Sequence, residues 1–543
     1  MIEKSVAKII VDLLVEAGVR HVFGIVSIHN MPIVDAISAT PGIDLVTSRH
    51  EQGAAHMADG YARATGELGV ALGSTGPGTT NMLTGLYEAD FASSRLLVIT
   101  GQAETGFYGK AKGYVHEAEN QKRMLEAVTD AVASPRYAHE VGPMLKGVIE
   151  AMYSGRPRPG AIEVPIDLQY ASIASPTLTI EVPQPIRPDT QTIEAAVSRI
   201  DDADKRVIIA GGGVRTAEAR AALTAFAELL NAPVITTANG KGAFPVAHPL
   251  HMGNALMRPP IRQLVSEADL VVAIGTRFQA GTGGTKINLR LPALLHIDVD
   301  PMHLNLNFKA DIAVLSDAEL AINALRNFEY TEGCGSYLEK MRALVDETGN
   351  NLRKAFGSDH AHALDVFSKY LATGVAFVRD STIPGYNWGN TLLPIDQPGG
   401  YVFPTSGAIG PGLPLGLGVA TALAKKTFVM HGDGGLMFHV GELAAAAQYQ
   451  IPVVVIVFND GGYGVLRGLQ YNQFDGRFNG TELHTPDFVK LAESMGVTAF
   501  YANDVTELDE RLAAAMVEKG PVLIELNANN MQPIDGVIPS PTA

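Results

Sequence analysis

The chain has a single cysteine, Cys334, among its 543 residues. One cysteine cannot form an internal disulfide framework or a cysteine-cluster metal site, so we expect a reducing compartment. Basic residues are also scarce: 41 Lys and Arg against 57 Asp and Glu give a formal charge of -16, which argues against nucleic acid or an anionic membrane surface as a partner. No apolar run approaches the ~20 residues of a transmembrane helix. The first residues fit an amphipathic helix better than a signal peptide, and we therefore expect a cytoplasmic protein.

What the chain does have is an ordinary globular composition, 46% hydrophobic and 18% charged, over a length that predicts roughly three domains. Residues 175–189 are rich in Pro and Thr, as exposed linkers are. Residues 330–359 are polar and helix-forming, and glycines such as Gly349 interrupt them. The predicted domains are 1–175, 186–330 and 355–535.

Within each predicted domain, apolar runs alternate with segments of helical period. Residues 207–210 and 453–458 are examples of the runs, and Ala217–Leu230 and 441–449 are examples of the helical segments. This alternation is typical of parallel sheets with helices on both faces, so we predict an α/β protein with three doubly wound parallel-sheet domains. Open sheets of this kind bind ligands at the carboxyl ends of their strands.

The richest predicted strand end is Gly432-Asp433-Gly434-Gly435, between a buried strand and a helix over about 436–449. Amides at a glycine turn and at a helix start can face a diphosphate, with Asp433 as the carboxylate ligand of a metal. The next strand ends in Asn459-Asp460-Gly461-Gly462, which offers further oxygen ligands of the kind that Mg²⁺ selects. A single glycine-aspartate turn is often only structural. Two such turns, separated by one helix and one strand, favour a metal-diphosphate site.

With these motifs the chain resembles the thiamine diphosphate enzymes of the pyruvate decarboxylase and acetolactate synthase superfamily, whose signature is GDG followed at a similar spacing by NN. The resemblance implies a pyrimidine-binding, a central Rossmann-like and a diphosphate-binding domain, in that order. It implies Mg²⁺ ligation by Asp433, by Asp460, which stands where the family usually has Asn, and by the main-chain carbonyl of Gly462. The implied contacts to thiamine diphosphate are Gly407, Ile409, Gly432, Gly434, Gly435, Tyr463 and Gly464.

The resemblance also implies a catalytic acid. Glu51, in RHEQGAAHMADGYARA, lies where family members place the Glu that hydrogen-bonds the pyrimidine ring and activates the cofactor. Taken alone, its segment favours an exposed glutamate at a helix start. By the same resemblance, the carbonyl oxygen of Gly407 is expected to accept a hydrogen bond from the exocyclic amine of the cofactor. Ile409 is expected to hold the two rings of the cofactor in a V-shaped conformation. Ile409 could otherwise simply pack in the core.

The resemblance also concerns assembly. Because Glu51 and Asp433 lie in different domains and the family builds each site across two subunits, we expect a homodimer or homotetramer with shared active sites.

In the central domain, Gly211-Gly212-Gly213 follows an apolar run, but the full GxGxxG spacing is missing. Related acetolactate synthases carry FAD in this domain and many decarboxylases do not, so the sequence leaves FAD open.

Three residues are candidates for proton transfer to bound intermediates. His29 follows an apolar strand and is similar in position to a histidine of benzaldehyde lyase, and a neutral imidazole can shuttle protons. A structural histidine is the alternative. His116 and Glu117 fall where relatives place a Gln that contacts the reacting carbonyl, although they could equally form a solvated pair.

The resemblance implies that the cofactor attacks a small 2-oxo acid, that CO₂ is then lost, and that an enamine is formed. Protonation of the enamine makes a decarboxylase, and its capture by a second carbonyl such as an aldehyde makes a carboligase. Acetolactate synthases that select 2-oxobutyrate usually carry a Trp soon after the second motif, but the only tryptophan here, Trp388, lies upstream. A strict isoleucine-pathway function is therefore not expected.

The favoured interpretation is an acetolactate synthase-like carboligase or lyase. The segment YGVLR is closer to benzoylformate decarboxylase, so a non-ligating decarboxylase is one alternative, and a benzaldehyde lyase-like 2-hydroxy ketone lyase is another. Two other classes are a relative that binds the cofactor without turnover, against which Glu51 argues, and a dinucleotide oxidoreductase, which would leave both glycine-acid motifs without a role.

Overall fold

The computed structural model describes residues 3–279 and 289–534. The ends of the predicted outer domains, residues 1 and 535, lie outside these ranges. The first of three parallel sheets is followed in the chain by residues 175–189, which form no helix or strand, and the second is followed by a long helix, Gly335–Leu371.

The N-terminal sheet consists of parallel strands whose residues are mostly buried on both faces, as continuous apolar runs require. In spatial order its strands are Asp44–Thr47, His21–Gly24, Gly69–Gly73, Leu96–Gln102, Gly160–Pro165 and Ala131–Ala133. A short antiparallel pair, Glu3–Ser5 with Ser172–Ala174, joins the two ends of the domain. The helices of the domain are Val6–Glu16, Met31–Ser38, Glu51–Thr65, Pro77–Ala92, Gln121–Glu126, Ala138–Tyr153 and Ile166–Tyr170.

The central sheet is again parallel. In spatial order its described strands are Val234–Thr236, Arg206–Ala210, Leu270–Ile274, Leu294–Asp298 and Ile312–Leu315. Its described helices are Thr190–Asp201, Ala217–Leu230, Pro259–Ser266 and Ala318–Leu325, with a 3₁₀ turn at Ala238–Gly240. The apolar faces of these helices and strands pack into one core of their own.

The C-terminal sheet has parallel strands in the spatial order Tyr401–Val402, Ala376–Arg379, Thr427–Gly432, Val453–Asn459, Val522–Asn527 and Thr498–Ala502. The helices of the domain are Gly412–Leu423, Asp433–Leu436, Glu442–Gln448, Gly464–Gln473, Phe488–Ser494 and Leu508–Val517. A π-helix at Gly385–Gly389 and 3₁₀ turns at Val505–Glu507 and Ala528–Asn530 complete the regular structure. The prediction of three parallel-sheet α/β domains is confirmed.

Two local predictions differ from the structure. The helix expected over 436–449 is broken: a single turn, Asp433–Leu436, is followed by a separate helix, Glu442–Gln448. Between them His439 turns inward, and its Nδ1 pairs with the carbonyl oxygen of Gly410 at 3.0 Å. Gly349 does not interrupt its segment, because it lies within Gly335–Leu371, whose one break is at Gly357 with φ of 80°.

The N-terminal and C-terminal domains pack together through two helices, Glu51–Thr65 and Gly412–Leu423. A Cβ at Gly60 would lie 2.1 Å from the carbonyl oxygen of Leu415, and a Cβ at Gly418 would lie 1.9 Å from that of Met57. Only glycine allows the two backbones to approach so closely. This contact fixes the helix that begins with Glu51 against the helix that follows Ile409.

None of the described helices combines the length and the apolar character needed to cross a membrane.

Candidate active site

The two glycine-acid turns lie side by side at the carboxyl end of the C-terminal sheet. Their strands, Thr427–Gly432 and Val453–Asn459, are parallel neighbours, with Gly432 opposite Phe458. Asp433 is fully buried, and neither of its carboxylate oxygens has a hydrogen-bond partner of ordinary geometry among the described residues. Burial and the negative charge of Asp460 raise the pKa of Asp433 to about 7.

These two acids form a site suited to a cation. The carboxylate of the buried Asp433 faces that of Asp460, which is 20% exposed. The Arg467 guanidinium lies 3.8 Å from Asp460 Oδ2, and among the described residues no basic group forms an ion pair with Asp433. Bringing two like charges together in a low-dielectric setting is unfavourable unless a cation joins them. Among residues 3–279 and 289–534 no cluster of three or more His, Cys, Asp and Glu side chains surrounds such an ion. Its remaining ligands would therefore be backbone and ligand oxygens, as Mg²⁺ in phosphate sites prefers.

A cradle for a ligand lies beside the acids. A groove of about 390 Å³ is lined by Gly434 and Tyr463, together with Met437, Phe438, Leu483, His484 and Thr485. A Cβ at Gly434 would lie 2.7 Å from the Tyr463 ring. A side chain at position 434 would therefore narrow the groove and displace the Tyr463 ring.

At most of the other glycines of the two turns, neighbouring atoms also leave no room for a side chain. A Cβ at Gly464 would lie 2.0 Å from Asp460 Oδ2, and a Cβ at Gly462 would lie 2.1 Å from the carbonyl oxygen of Thr481. A Cβ at Gly435 would lie 3.0 Å from Asp380 Oδ1, whereas Gly432 has more room. The structure thus brings together the predicted metal and diphosphate residues of both turns.

The loop that carries Gly407 and Ile409 lies over the first turn. Gly407 has φ of 86°, and Ile409 Cγ1 is 3.4 Å from the position that a Cβ at Gly435 would take. The buried carboxylate of Asp380 accepts hydrogen bonds from the amides of Gly410 at 3.0 Å and Gly412 at 2.7 Å. Asp380 therefore orders this loop.

A second buried acid holds the same loop from the N-terminal domain. Glu88 accepts hydrogen bonds from the amides of Thr405 at 2.6 Å and Ser406 at 3.0 Å, and Arg63 pairs with it at 2.6 Å. Neither Glu88 nor Asp380 was predicted from the sequence. Glu88 sits in a helix with no motif of its own, but the position of Asp380 at a strand end was a usable signal.

Glu51 is the first residue of its helix, as expected, and the His50 side chain caps that helix by accepting from the Gln52 amide at 3.1 Å. Asn81 Nδ2 donates to Glu51 Oε2 at 2.8 Å. A Cβ at Gly78 would lie 3.3 Å from Glu51 Oε1, so that oxygen borders the glycine turn after the strand Gly69–Gly73. The carboxylate is therefore held in place and remains partly exposed.

His29 and His116 lie together beside that turn. Their ring centroids are 5.3 Å apart, and Ser74 Oγ lies between them, 3.3 Å from His29 Nδ1 and 3.5 Å from His116 Nδ1. His29 is 1% exposed and its Nε2 has no partner among the described residues, whereas His116 is exposed. Burial first, and His116 second, lower the pKa of His29. Ser74 was not predicted as a site residue, although it directly follows a buried strand.

Glu117 has a different setting from its neighbour. Its Oε2 accepts from the amides of Gly113 at 3.0 Å and Tyr114 at 3.1 Å, which closes the loop before it. Its Oε1 is buried and has no partner among the described residues. Glu117 thus stabilises the loop that presents His116.

The candidate residues therefore fall into two groups. The N-terminal group is Glu51, His29, Ser74 and His116, and the C-terminal group is Asp433, Asp460, Gly407, Ile409 and the cradle glycines. Within one chain, no hydrogen bond, ion pair or ring contact of the described residues joins the first group to the second.

The predicted glycine turn of the central domain packs against its own sheet. A Cβ at Gly211 would lie 2.3 Å from the carbonyl oxygen of Gly275, and a Cβ at Gly213 would lie 2.6 Å from Gly275 Cα. Packing alone thus accounts for both glycines and gives no evidence for FAD binding.

Comparison with known families agrees with the three-domain division. Models of thiamine pyrophosphate enzymes match the chain in order: the N-terminal TPP binding domain over residues 4–124, the central domain over 193–325 and the C-terminal TPP binding domain over 386–526.

Several curated proteins are similar over nearly the whole chain. A probable 2-ketoarginine decarboxylase of Pseudomonas aeruginosa is 32% identical, with 95% of this chain and 93% of that protein covered. The large subunit of acetolactate synthase isozyme 3 of Escherichia coli is 30% identical, with 94% and 92% covered. A probable acetolactate synthase large subunit of Methanocaldococcus jannaschii is also 30% identical, with 96% and 91% covered.

Proposed function

Because the chain belongs to the thiamine pyrophosphate enzymes, we propose that it is an acetolactate synthase-like carboligase or lyase that acts on a small 2-oxo acid. The observation that carries the proposal is the contact of the buried His29 with the exposed His116 beside the glycine turn that Glu51 also borders, because ligation and cleavage of 2-oxo compounds require protons to be moved.

The C-terminal group is proposed to hold thiamine diphosphate through Mg²⁺. Asp433, Asp460 and the Gly462 carbonyl would supply protein oxygens to the metal, and the cradle at Gly434 and Tyr463 would receive the diphosphate. When bound, the cofactor supplies a carbon nucleophile and an electron sink. The two facing carboxylates fit this role because the cation removes their repulsion.

The N-terminal group is proposed to activate the cofactor and to handle protons. Glu51 would hydrogen-bond the pyrimidine ring, since its Oε1 borders the glycine turn and Asn81 fixes only its Oε2. His29 would exchange a proton with the reacting oxygen through Nε2. Its lowered pKa keeps the imidazole neutral near pH 7, so that it can both accept and release that proton.

We further propose that two chains complete each site. Exposed apolar side chains flank both groups: Val26, Ile28 and Met31 near His29, and Met437, Phe438, Leu466 and Leu469 near the cradle. Large exposed apolar patches of this kind are typical of interaction surfaces. In a symmetric dimer the same contact is made twice, so each N-terminal group would meet the C-terminal group of the partner.

Decarboxylation without ligation is the second candidate. The relative from Pseudomonas aeruginosa is described as a probable decarboxylase of 2-ketoarginine, whose side chain is basic. Here Glu117 Oε1, next to His116, is buried and has no partner within residues 3–279 and 289–534, and Glu104 Oε1 accepts a hydrogen bond from the hydroxyl of Tyr114 at 3.4 Å. Acids at these positions would favour a 2-oxo acid that carries a cation.

Product analysis separates the two. The purified chain is incubated with thiamine diphosphate, Mg²⁺, small 2-oxo acids, 2-ketoarginine and aldehydes, and the products are identified by mass spectrometry. We expect hydroxy ketones that require both cofactors and an acceptor. Aldehyde from a 2-oxo acid with no ligated product would favour the decarboxylase, and no cofactor-dependent product from any substrate would contradict both. A flavin spectrum of the purified protein answers the question of FAD separately.

A further inference from the structure

A cavity of about 240 Å³ lies between the central domain and the C-terminal domain. The central domain contributes residues around Lys241, His251 and Arg258, and the C-terminal side contributes the helix Gly335–Leu371 and residues 391–395. None of these residues belongs to the two groups described above.

Three basic side chains line this cavity without acidic partners. Among the described residues, no carboxylate forms an ion pair with Lys241, His251 or Arg258. Asp396 is close enough to influence the pKa of His251, but its carboxylate already pairs with Arg220 at 2.8 Å and accepts from the Val246 amide. In a chain of formal charge -16, a cavity lined by unpaired basic groups is unusual.

Lys241 is the most constrained of the three. Its Nζ donates to the carbonyl oxygen of Leu393 at 2.8 Å and lies 5.3 Å from the centre of the Tyr401 ring. Burial, and then the charge of Arg379, lower its pKa to about 7. Because its partners are neutral, two of its three N–H donors remain for another acceptor.

Arg258 adds a further donor. Arg258 Nε is buried and has no hydrogen-bond partner among the described residues. Burial and the charge of Lys241 lower the pKa of His251 to about 4, so its ring is neutral, and the backbone of Val246 already hydrogen-bonds it. A buried guanidinium nitrogen without an acceptor is costly, and an anionic ligand would supply that acceptor.

The rest of the wall is apolar. Val345 and Leu352 of the long helix, with Leu392, Ile395 and Met252, line the cavity away from the basic groups. A ligand that suits this surface has an anionic head and an apolar body.

We propose that this cavity is a binding site for a small organic anion, whose carboxylate or phosphate head is held by Lys241 and Arg258 and whose apolar part lies against Val345 and Leu352. Such a ligand would join the central domain to the C-terminal domain, because its head and its body contact opposite walls.

Calorimetry on the holoenzyme tests the site. Saturating thiamine diphosphate and Mg²⁺ keep the probes out of the diphosphate cradle. The probes are isovalerate, its neutral analogue isovaleramide and inorganic phosphate, none of which is a 2-oxo acid. The variants are Lys241→Met and Arg258→Gln, and the matched control is Lys340→Met, whose lysine is exposed and pairs with Glu267. Circular dichroism establishes that each variant is folded.

We expect isovalerate to bind once per chain, isovaleramide not to bind, and each cavity variant to weaken binding at least about tenfold while Lys340→Met does not. Phosphate binding in place of isovalerate, with the same loss in the variants, would support the anion site and assign it to phosphate-bearing ligands. Absence of binding by both anions, equal binding of isovaleramide, or binding that neither cavity variant weakens would overturn the proposal.

Discussion

The carboxylate of Glu88 accepts a hydrogen bond from the amide of Ser406 at 3.0 Å, across 318 positions of sequence and from one domain to another. Through this contact a helix of the N-terminal domain holds the loop that carries Gly407 and Ile409. The position of the proposed cofactor wedge thus depends on an acid that touches no part of the proposed cofactor site.

Loss of the Glu88 carboxylate is expected to destabilise the fold and loosen the loop. In Glu88→Ala, the buried Arg63 loses one of its two acidic partners and the amides of Thr405 and Ser406 lose their acceptor. Breaking a buried ion pair in this way costs about 3–5 kcal/mol. Urea unfolding measures the loss, and Glu126→Gln, in an exposed ion pair, is the control. Unfolding midpoints equal to wild type would contradict this role.

Asp433→Asn is expected to raise the stability of the free protein and to lower its affinity for the cofactor. Without metal, the substitution removes the repulsion from Asp460, so the protein should be slightly more stable than wild type in EDTA. With Mg²⁺ present, affinity for thiamine diphosphate should fall by about two orders of magnitude, because a neutral amide oxygen replaces the charged carboxylate ligand of the metal. Thermal unfolding with and without cofactor measures both effects, with the exposed Asp475→Asn as control. Unchanged cofactor affinity would show that Asp433 is not a metal ligand.

Glu442 is expected to make the free energy of unfolding depend on pH. It is buried, accepts from the amides of Arg49 and His50, and has its pKa raised by burial to about 7 from 4.5. Between those values the native state keeps a proton that the unfolded state has lost, so ionisation of Glu442 lowers the free energy of unfolding as pH rises. Glu442→Gln removes this dependence. Relative to wild type, the variant should gain about 1–3 kcal/mol between about pH 5 and pH 8.

Urea midpoints at a single protein concentration measure this gain, and Glu493→Gln, at an exposed position, is the control. A difference between Glu442→Gln and wild type that does not change with pH would show that Glu442 titrates normally.

His29→Ala is expected to slow turnover by about two orders of magnitude while leaving cofactor binding unchanged, because the imidazole is proposed to move protons and not to hold the cofactor. Ser74→Ala should shift the pH profile of kcat, since Ser74 Oγ links His29 to the exposed His116, and Ser74→Thr should restore it. His139→Ala, at an exposed position, is the control. Wild-type kcat in His29→Ala over all productive substrates would make His29 a structural histidine.

Much of the fold and the two glycine-acid turns of the candidate site could be predicted from the sequence, because parallel strands leave continuous apolar runs and their ends carry glycines and acids. Asp433 and Asp460 were predicted from this pattern, whereas Glu51 was predicted only from the family resemblance. Glu88 and Glu442 could not be found, because their roles depend on backbone amides of a distant domain that no local pattern marks. The break between Leu436 and Glu442 was missed for the same reason: Gly410, far along the chain, provides the carbonyl group that turns His439 inward.

The central claim is that one chain supplies Glu51 and another supplies Asp433 to the same thiamine diphosphate site. Glu51→Gln and Asp433→Ala are each expected to be inactive, and co-expression of the two should restore activity. In a mixed dimer one site carries both substitutions and the other carries neither, so random pairing should give about a quarter of wild-type activity. Different tags on the two chains verify that mixed dimers form. Mixed dimers with no activity would contradict the shared site.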